Sequence, residues 1–303
     1  MNQAKWRKWL GGDVQLWLMV FPALAVILIF NYVPMYGAQL AFRDFDFSKG
    51  LTGGEWRGLY YFQQFIDSYL FTDLIRNTFL ISLSTILIGF PAPIVLALIL
   101  NQIQSHRWKK LMQTTVYMPH FISVIVLVGM LHVLLSPGTG IVGHLLKSIG
   151  LGHIHLLGST STFIPTYVLS DIWQHAGWSS IIYLAALSGV DPQLYDSARI
   201  DGANRWQTVR YIDFPTLLPT IIILFILSMG NILSTGFEKI FLMQNSLNLP
   251  VSEVIATYVY KIGIVSNQFS LAAAIGLFNT VINFVFLVTM NQISRRTSDT
   301  SLF

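Results

Sequence analysis

No cysteine occurs among the 303 residues, so disulfides and thiolate chemistry are excluded. Charge is scarce as well: Asp, Glu, Lys and Arg supply 11% of the chain, against roughly 25% in a soluble domain. That deficit excludes an ordinary cytosolic globule. A phosphate-binding Gly-rich turn followed by Lys is also missing, because the nearest approach, Gly152 to Gly158-Ser159, contains no Lys. No nucleophile stands beside a matched base, and no carboxylate pair falls on one membrane face, so the chain is not expected to be an enzyme. What is present is apolar. Hydrophobic residues make up 53% and aromatics 14%, with a mean hydropathy of +0.60, which excludes disorder and makes membrane spans the unit to count.

Six apolar runs, bounded by charge, Pro or Gly, approach the ~20 residues that a bilayer-crossing helix needs. They cover about 14–33, 79–100, 117–135, 163–187, 217–233 and 271–293 within a single domain, 1–303. Pro91 and Pro93 predict a kink in the second run, and the fourth is less apolar, with Asp171, Gln174 and His175. A cleavable signal peptide is the competing reading of the first run, since Lys5, Arg7 and Lys8 precede it. Its apolar stretch is too long and lacks a small-residue cleavage site, so it is expected to be retained. Trp6, Trp9 and Trp17 read as an interfacial belt.

Six spans put both termini on one side. Eleven of the eighteen Lys and Arg residues lie in segment 1–13, the loops after the second and fourth runs, and the tail. Cytoplasmic loops carry the excess of such residues, so those four segments are expected inside the cell and both termini with them. Three external segments remain, about 34–76, 136–162 and 236–270, long enough to form a docking surface.

The most informative stretch is the fourth loop, 189–215. Asp191 before Pro192 is a helix start, with an acceptor at the cap and then a residue that needs no amide hydrogen. A short helix should run to about Asp201, Gly202 should allow a sharp turn, and Asn204 should cap a second helix ended by Pro215 and Pro219. Small residues at Ser197, Ala198, Gly202 and Ala203 allow close approach, and Asp196, Arg199, Asp201 and Arg205 can fix orientation. Spacing alone leaves two readings open: a helix-turn-helix that enters another protein's cleft, or an amphipathic loop with Asp201 and Arg205 paired at i,i+4.

The residues themselves resemble a known family. Permease subunits of binding-protein-dependent ABC importers carry, before their penultimate span, Glu-Ala-Ala, three residues, Gly, nine residues, then Ile-x-Leu-Pro. This chain has Asp196-Ser197-Ala198, three residues, Gly202, nine residues, then Ile212-Asp213-Phe214-Pro215, with Asp for Glu, Ser for Ala and Phe for Leu. Phe30-Asn31-Tyr32-Val33-Pro34-Met35-Tyr36-Gly37, Tyr117-Met118-Pro119-His120-Phe121-Ile122-Ser123 and Ser179 to Leu187 are similar to the oligosaccharide and polysaccharide branch, which includes the lipoprotein-associated sugar permeases and the alginate-type importers. The resemblance implies an all-α integral membrane protein of six transmembrane helices, the type I importer permease fold. It further implies that the loop is a coupling helix seated in a cytoplasmic ATPase. ATP and Mg would be bound by two such ATPase subunits, and this chain would hold no cofactor or metal. A second homologous permease, an external solute-binding protein, a saccharide substrate and the inner (cytoplasmic) membrane complete the implied setting, with no nucleic acid.

Polar groups at membrane depth are costly and commonly face the bundle interior or a wetted path. Asp171, His175 and Trp178 stand at i, i+4 and i+7 on one helix face, and Asn231 falls in a similar region of the fifth span. The resemblance implies a substrate pathway there, since the matching stretch of the related maltose importer contributes to its sugar site. The alternative is that Asp171 and His175 merely pair within the bundle. His120 and His132 read as packed residues, Asn279 and Asn283 as bonding across helices, and His153-x-His155 as a loop without metal partners. Two other functions stand as alternatives: an ion-coupled secondary transporter, which should show two related halves with broken helices, and an importer permease for a non-sugar solute. No related halves are found in the sequence.

Overall fold

The computed structural model describes residues 14–50, 53–152, 154–234 and 236–297. Lys5, Trp6, Arg7, Lys8, Trp9 and His153 lie outside the described residues. Thirteen helices are labelled here in chain order. They are α1 (Val14–Ile27, running on through Leu28–Tyr32 and Val33–Met35 to Tyr36–Phe42), α2 (Tyr60–Ile66), α3 (Phe71–Ser84, through Thr85–Gly89 into Pro91–Asn101), α4 (His106–Tyr117) and α5 (Val124–Leu134). There follow α6 (Ile141–Ser148), α7 (Phe163–Ser188), α8 (Pro192–Ile200), α9 (Arg205–Thr208, through Val209–Asp213 into Phe214–Met229), α10 (Phe237–Met243), α11 (Leu249–Ser252), α12 (Ile255–Tyr260, running on through Lys261–Val265) and α13 (Phe269–Thr297). The described residues form no strand, only the isolated bridges Arg43 with Trp56 and Asp46 with Gly50.

Four of these helices are long and apolar enough to cross a membrane, or five when α4 and α5 count as one bent span. α7 has the length, 26 residues, or roughly 39 Å, but its polar residues dilute it. The chain divides into two compact units, Met1–Ser68 with Val259–Phe278, and Tyr69–Tyr258 with Asn279–Phe303.

In the first unit α1 is apolar on all sides and exposed along almost its whole length, with Phe30 and Met19 more than 70% accessible. A helix that is apolar all round must be covered by lipid or by other helices. Beyond it the chain is held by aromatic contacts. Phe42 stacks on Trp56 at 5.5 Å, and Phe45, Phe47 and Phe269 form an edge-to-face triangle at 5.0 to 5.4 Å. Asp44 accepts from the Tyr61 hydroxyl at 2.8 Å, and the Phe45 amide donates to Ser270 Oγ at 2.9 Å.

In the second unit α7 is the central helix. Tyr183 and Leu187 pack with Ile94 and Ala97 of α3 and Leu217 of α9, while Phe163, Tyr167 and Val168 pack with Ile81, Val128, Ile240 and Val254. The segment around α10, expected to be external, buries Ile240 and Met243 completely. Its turn is closed by amides: Asn248 donates to the Leu157 and Met243 carbonyls at 2.8 and 2.9 Å.

The third expected span, 117–135, is not one straight helix. α4 continues through a 3-10 turn, Met118–Phe121, and meets α5 at 97°. Pro119 lacks the amide a helix needs, Ile122 is extended (ψ 127°), and Ser123 caps α5 by accepting from the Val126 amide. The Ile122 carbonyl left free at the break accepts from Gln174 Nε2 of α7 at 2.8 Å. α4 reaches α7 closely because Gly177 has no Cβ, which would otherwise lie 1.8 Å from the Val116 carbonyl oxygen.

Candidate functional site

Two features of the second unit gather the residues singled out in the sequence. The first is the loop from Asp191 to Pro215. Asp191 Oδ1 accepts from the Gln193 amide at 2.9 Å and Pro192 opens α8. At the far end Gly202 takes φ +75°, its amide donates to Arg199 O at 3.1 Å, and the Ala203 amide donates to Ala198 O at 2.9 Å. Both bonds together form a Schellman close, which satisfies carbonyls that a helix end leaves free. Asn204 and Gln207 then exchange side-chain and backbone bonds at 2.9 and 2.8 Å, a capping box that starts α9.

Asp196, Ser197, Arg199, Asp201, Gly202 and Arg205 are exposed, and Ala198 and Ala203 half-buried. Ile200 is 86% exposed at the tip, and Leu194 is exposed beside it. Arg199 pairs with Asp196 at 3.4 Å, whereas Asp201 and Arg205, the pair weighed from the sequence, form no ion pair among the described residues. Pro215 does not end the second helix, contrary to expectation. The preceding Val209–Asp213 is a π turn, and α9 runs continuously from Arg205 to Met229. The wider turn absorbs the amide that Pro215 lacks.

Sequence reasoning missed the residue on which this loop rests. Asp213 is fully buried, and its carboxylate accepts from the Tyr195 hydroxyl at 2.7 Å, Gln102 Nε2 at 2.8 Å and Asn101 Nδ2 at 3.3 Å. Burial and the Asp213 carboxylate push the Tyr195 phenol up to about 12. A lone carboxylate between Ile212 and Phe214 at the mouth of an apolar run was the available signal.

The second feature is a cavity of about 640 Å³ between α3, α7 and the end of α9. Its wall includes Thr85 and Phe90, then Tyr167, Asp171, His175, Ser179 and Tyr183 of α7, then Ser228 and Asn231. Asp171 and His175 are therefore brought together on the wall, and they also contact one another, Nδ1 to Oδ1 at 3.4 Å. Asn231 joins them from a turn rather than from within the fifth span. α9 stops at Met229, and the Gly230 that follows packs against Leu287, where a Cβ would come within 2.4 Å of the leucine side chain.

Trp178 is not on the cavity wall. It stacks on His120 at 4.6 Å with the rings 4° from parallel, and Phe121 closes edge-on at 5.5 Å. His120 also faces the His175 ring at 5.6 Å and so links the Trp178 indole to a side chain of the cavity wall. His132, expected to be packed, is exposed on α5. Asn283 accepts from the Leu233 amide and donates to Ser234 Oγ, both at 2.9 Å.

A buried cation went unrecognised in the sequence. Lys239 of α10 is 4% exposed, and its Nζ lies 3.2 Å from Asp171 Oδ1, 3.2 Å from the Tyr167 carbonyl and 4.8 Å from the Tyr167 ring centroid. Asp171 thus has a cation behind it and an imidazole beside it, and its open side faces the cavity.

Comparisons with known proteins agree with one another. Residues 89–299 match the family described as binding-protein-dependent transport system inner membrane component. Protein LplB of Bacillus subtilis (strain 168) is 37% identical over 298 residues, 98% of this chain and 94% of that protein. The polygalacturonan/rhamnogalacturonan transport system permease protein YteP of the same organism is 38% identical, over 95% of this chain and 90% of that one. Among solved structures, a chain of a bacterial alginate ABC transporter in complex with alginate pentasaccharide-bound periplasmic protein superposes with a TM-score of 0.88 at 38% identity, covering 98% of this chain and 99% of that one.

Proposed function

The chain belongs to the binding-protein-dependent transport system inner membrane component family, and on that premise we propose that it forms half of the pathway of an ATP-driven importer for an oligosaccharide or polysaccharide. The observation that carries the reading is the loop: a motif of the importer type stands on a helix capped at both ends, with Ser197, Gly202 and Ile200 exposed. Such a surface suits a cleft in a cytoplasmic ATPase, where ATP and Mg would be bound, two copies serving one importer. A second permease would cover the exposed α1 and close the other side of the pathway. An external solute-binding protein would deliver the saccharide, a reading supported by the alginate transporter, which is seen in complex with an alginate pentasaccharide-bound periplasmic protein. Both termini then face the cytoplasm, following the Lys and Arg bias.

The cavity wall suits a sugar. Ligand sites of about 300–1,000 Å³ are mostly apolar with a few placed polar groups, and here Asp171, His175, Ser228 and Asn231 supply acceptors and donors beside the Tyr167 and Tyr183 rings. Differential contact of the loop with two ATPase states would drive the pathway between inward- and outward-open forms.

The test is uptake against hydrolysis in the assembled complex. Nothing lies within 4 Å of a Cβ built on Gly202, so Gly202→Trp projects into the space a partner would fill; any side chain at φ +75° strains the turn locally by about 1–2 kcal/mol, which leaves the spans folded, and ATP hydrolysis is expected to be uncoupled from uptake. Coupled uptake unchanged by Gly202→Trp would overturn the coupling role. Asp171→Ala is expected to lower saccharide uptake with assembly intact, and Trp178→Ala to act more weakly, through His120; uptake unaffected by both would remove the pathway assignment.

A further inference from the structure

Asp213 does more than fill a position in a motif. Its carboxylate is sealed from water and takes three side-chain hydrogen bonds from two directions, Tyr195 on α8 and Asn101 and Gln102 at the end of α3. All three partners donate to the carboxylate, and Asn101 Nδ2 also donates to the Tyr195 hydroxyl at 3.5 Å, so the partners are tied to one another as well as to Asp213. Tyr195 remains a donor throughout the physiological range, its phenol being raised to about 12.

The node's position gives it a mechanical consequence. Asp213 is the last residue of the π turn in α9, and α9 continues from there to Ser228 on the cavity wall. Asn101 ends the straight segment Pro91–Asn101 of α3, whose other end adjoins Phe90 and Pro93 of the same wall. That segment is 11 residues long, or roughly 16 Å. One side chain of α8 is thereby bonded to the carboxylate that also holds the cytoplasmic ends of both helices.

We infer that Asp213 is a positioning residue for coupling: with Tyr195, Asn101 and Gln102 it locks the exposed helix α8 to the two cavity-lining helices, so that displacement of α8 reaches both walls together. This inference rests on the coupling role proposed above for the loop. Charge-assisted hydrogen bonds in a sealed site are among the stronger side-chain contacts, and a helix held by such a node moves with its neighbours instead of sliding over them.

The experiment uses the complex purified through this chain from its own membranes and reconstituted in liposomes with its solute-binding protein. Assembly, ATP hydrolysis and saccharide taken up per ATP are read together for Tyr195→Phe, Asp213→Asn, the double variant and Gly202→Trp. Tyr195→Phe removes one hydroxyl and no charge, and is expected to leave assembly and hydrolysis unchanged while uptake per ATP falls threefold or more. Asp213→Asn should fall at least as far, and the double variant no further than the worse single, because both cut one node. Should Asp213→Asn fail to assemble, Tyr195→Phe decides alone. Uptake per ATP unchanged in Tyr195→Phe, or losses that multiply in the double variant, would overturn the inference. If Gly202→Trp uncouples while Tyr195→Phe does not, the node is refuted and the loop's role stands; if Gly202→Trp stays coupled, the role itself has failed.

Discussion

The pair formed by Lys239 and Asp171 carries an asymmetry that can be worked out in advance. The Lys239 ammonium is sealed, with side-chain exposure of 4%, and besides Asp171 it reaches the Tyr167 carbonyl and ring. Asp171 is 26% exposed, opens on the cavity and keeps His175 at 3.4 Å. Asp171→Asn preserves shape and strands the sealed cation. Removing one partner of a buried ion pair costs about 3–5 kcal/mol, and the retained Tyr167 contacts put this case near the lower end. Lys239→Met instead strands a carboxylate that water and an imidazole can reach, so its cost should be nearer 1–2 kcal/mol. The double variant leaves no unpaired charge and should lose less than Asp171→Asn alone. The assay is the fraction of monodisperse protein left after stepped heating in detergent. Asp171→Asn should fail first, Lys239→Met next and the double variant later than Asp171→Asn. If Lys239→Met failed before Asp171→Asn, or if the double variant showed the sum of both losses, the sealing of Lys239 would not govern the pair.

Two further outcomes follow from backbone geometry. Gly177→Ala should lower the yield of folded protein sharply, since its Cβ would meet the Val116 carbonyl at 1.8 Å and overpacking against backbone costs about 1–3 kcal/mol or more; normal yield and thermal resistance would show that α4 and α7 are not in that contact. Asn204→Ala removes the side-chain acceptor of the capping box and should cost about 1 kcal/mol, read as faster amide hydrogen exchange over residues 205–208 with no change in α7. Equal exchange in variant and parent would rule the box out as what starts α9.

The parts legible in the sequence are those decided within a few residues. Asp191, Pro192, Gly202 and Asn204 each act on neighbours no more than five positions away, so the loop's helix, turn and second cap follow from local chemistry. Lys239 was not legible for the opposite reason. It stands beside Glu238 in a segment of mixed polarity, and its partner Asp171 is 68 positions earlier, so only the folding of α10 against α7 reveals the pair. Trp178 shows a third case. Helical spacing correctly aligned it with Asp171 and His175, but the break at Pro119 brings His120 over the indole and takes it off the cavity wall. A face defined by periodicity can meet different neighbours at different heights, and a broken span changes which neighbour stands at each height.

Proline was read as a signal for kinks, yet the form of the break is more regular than a kink. The π turns Leu28–Tyr32, Thr85–Gly89 and Val209–Asp213 each end two residues before a proline: Pro34, Pro91 and Pro215. In a regular helix the amide missing from those prolines would bond the carbonyls of Phe30, Leu87 and Tyr211, which are the middle residues of the three turns. Widening the turn at that carbonyl relieves the ring's clash without ending the helix. Pro22 and Pro219 lie in α-helical segments with no π turn ending two residues before them, so a proline permits the widening but does not compel it. The fourth π turn, Lys261–Val265, precedes no proline and leads into Ser266 and Asn267, where φ is 58° and the helix ends. Two of the widened turns stand at the working parts of the second unit: Thr85 and Ile86 line the cavity, and Asp213 closes the node beneath α8. The same local break that lets a proline sit in a long apolar helix thus sets the register of the residues on either side of it, which is how a chain with so few charges brings a carboxylate inward at Asp213.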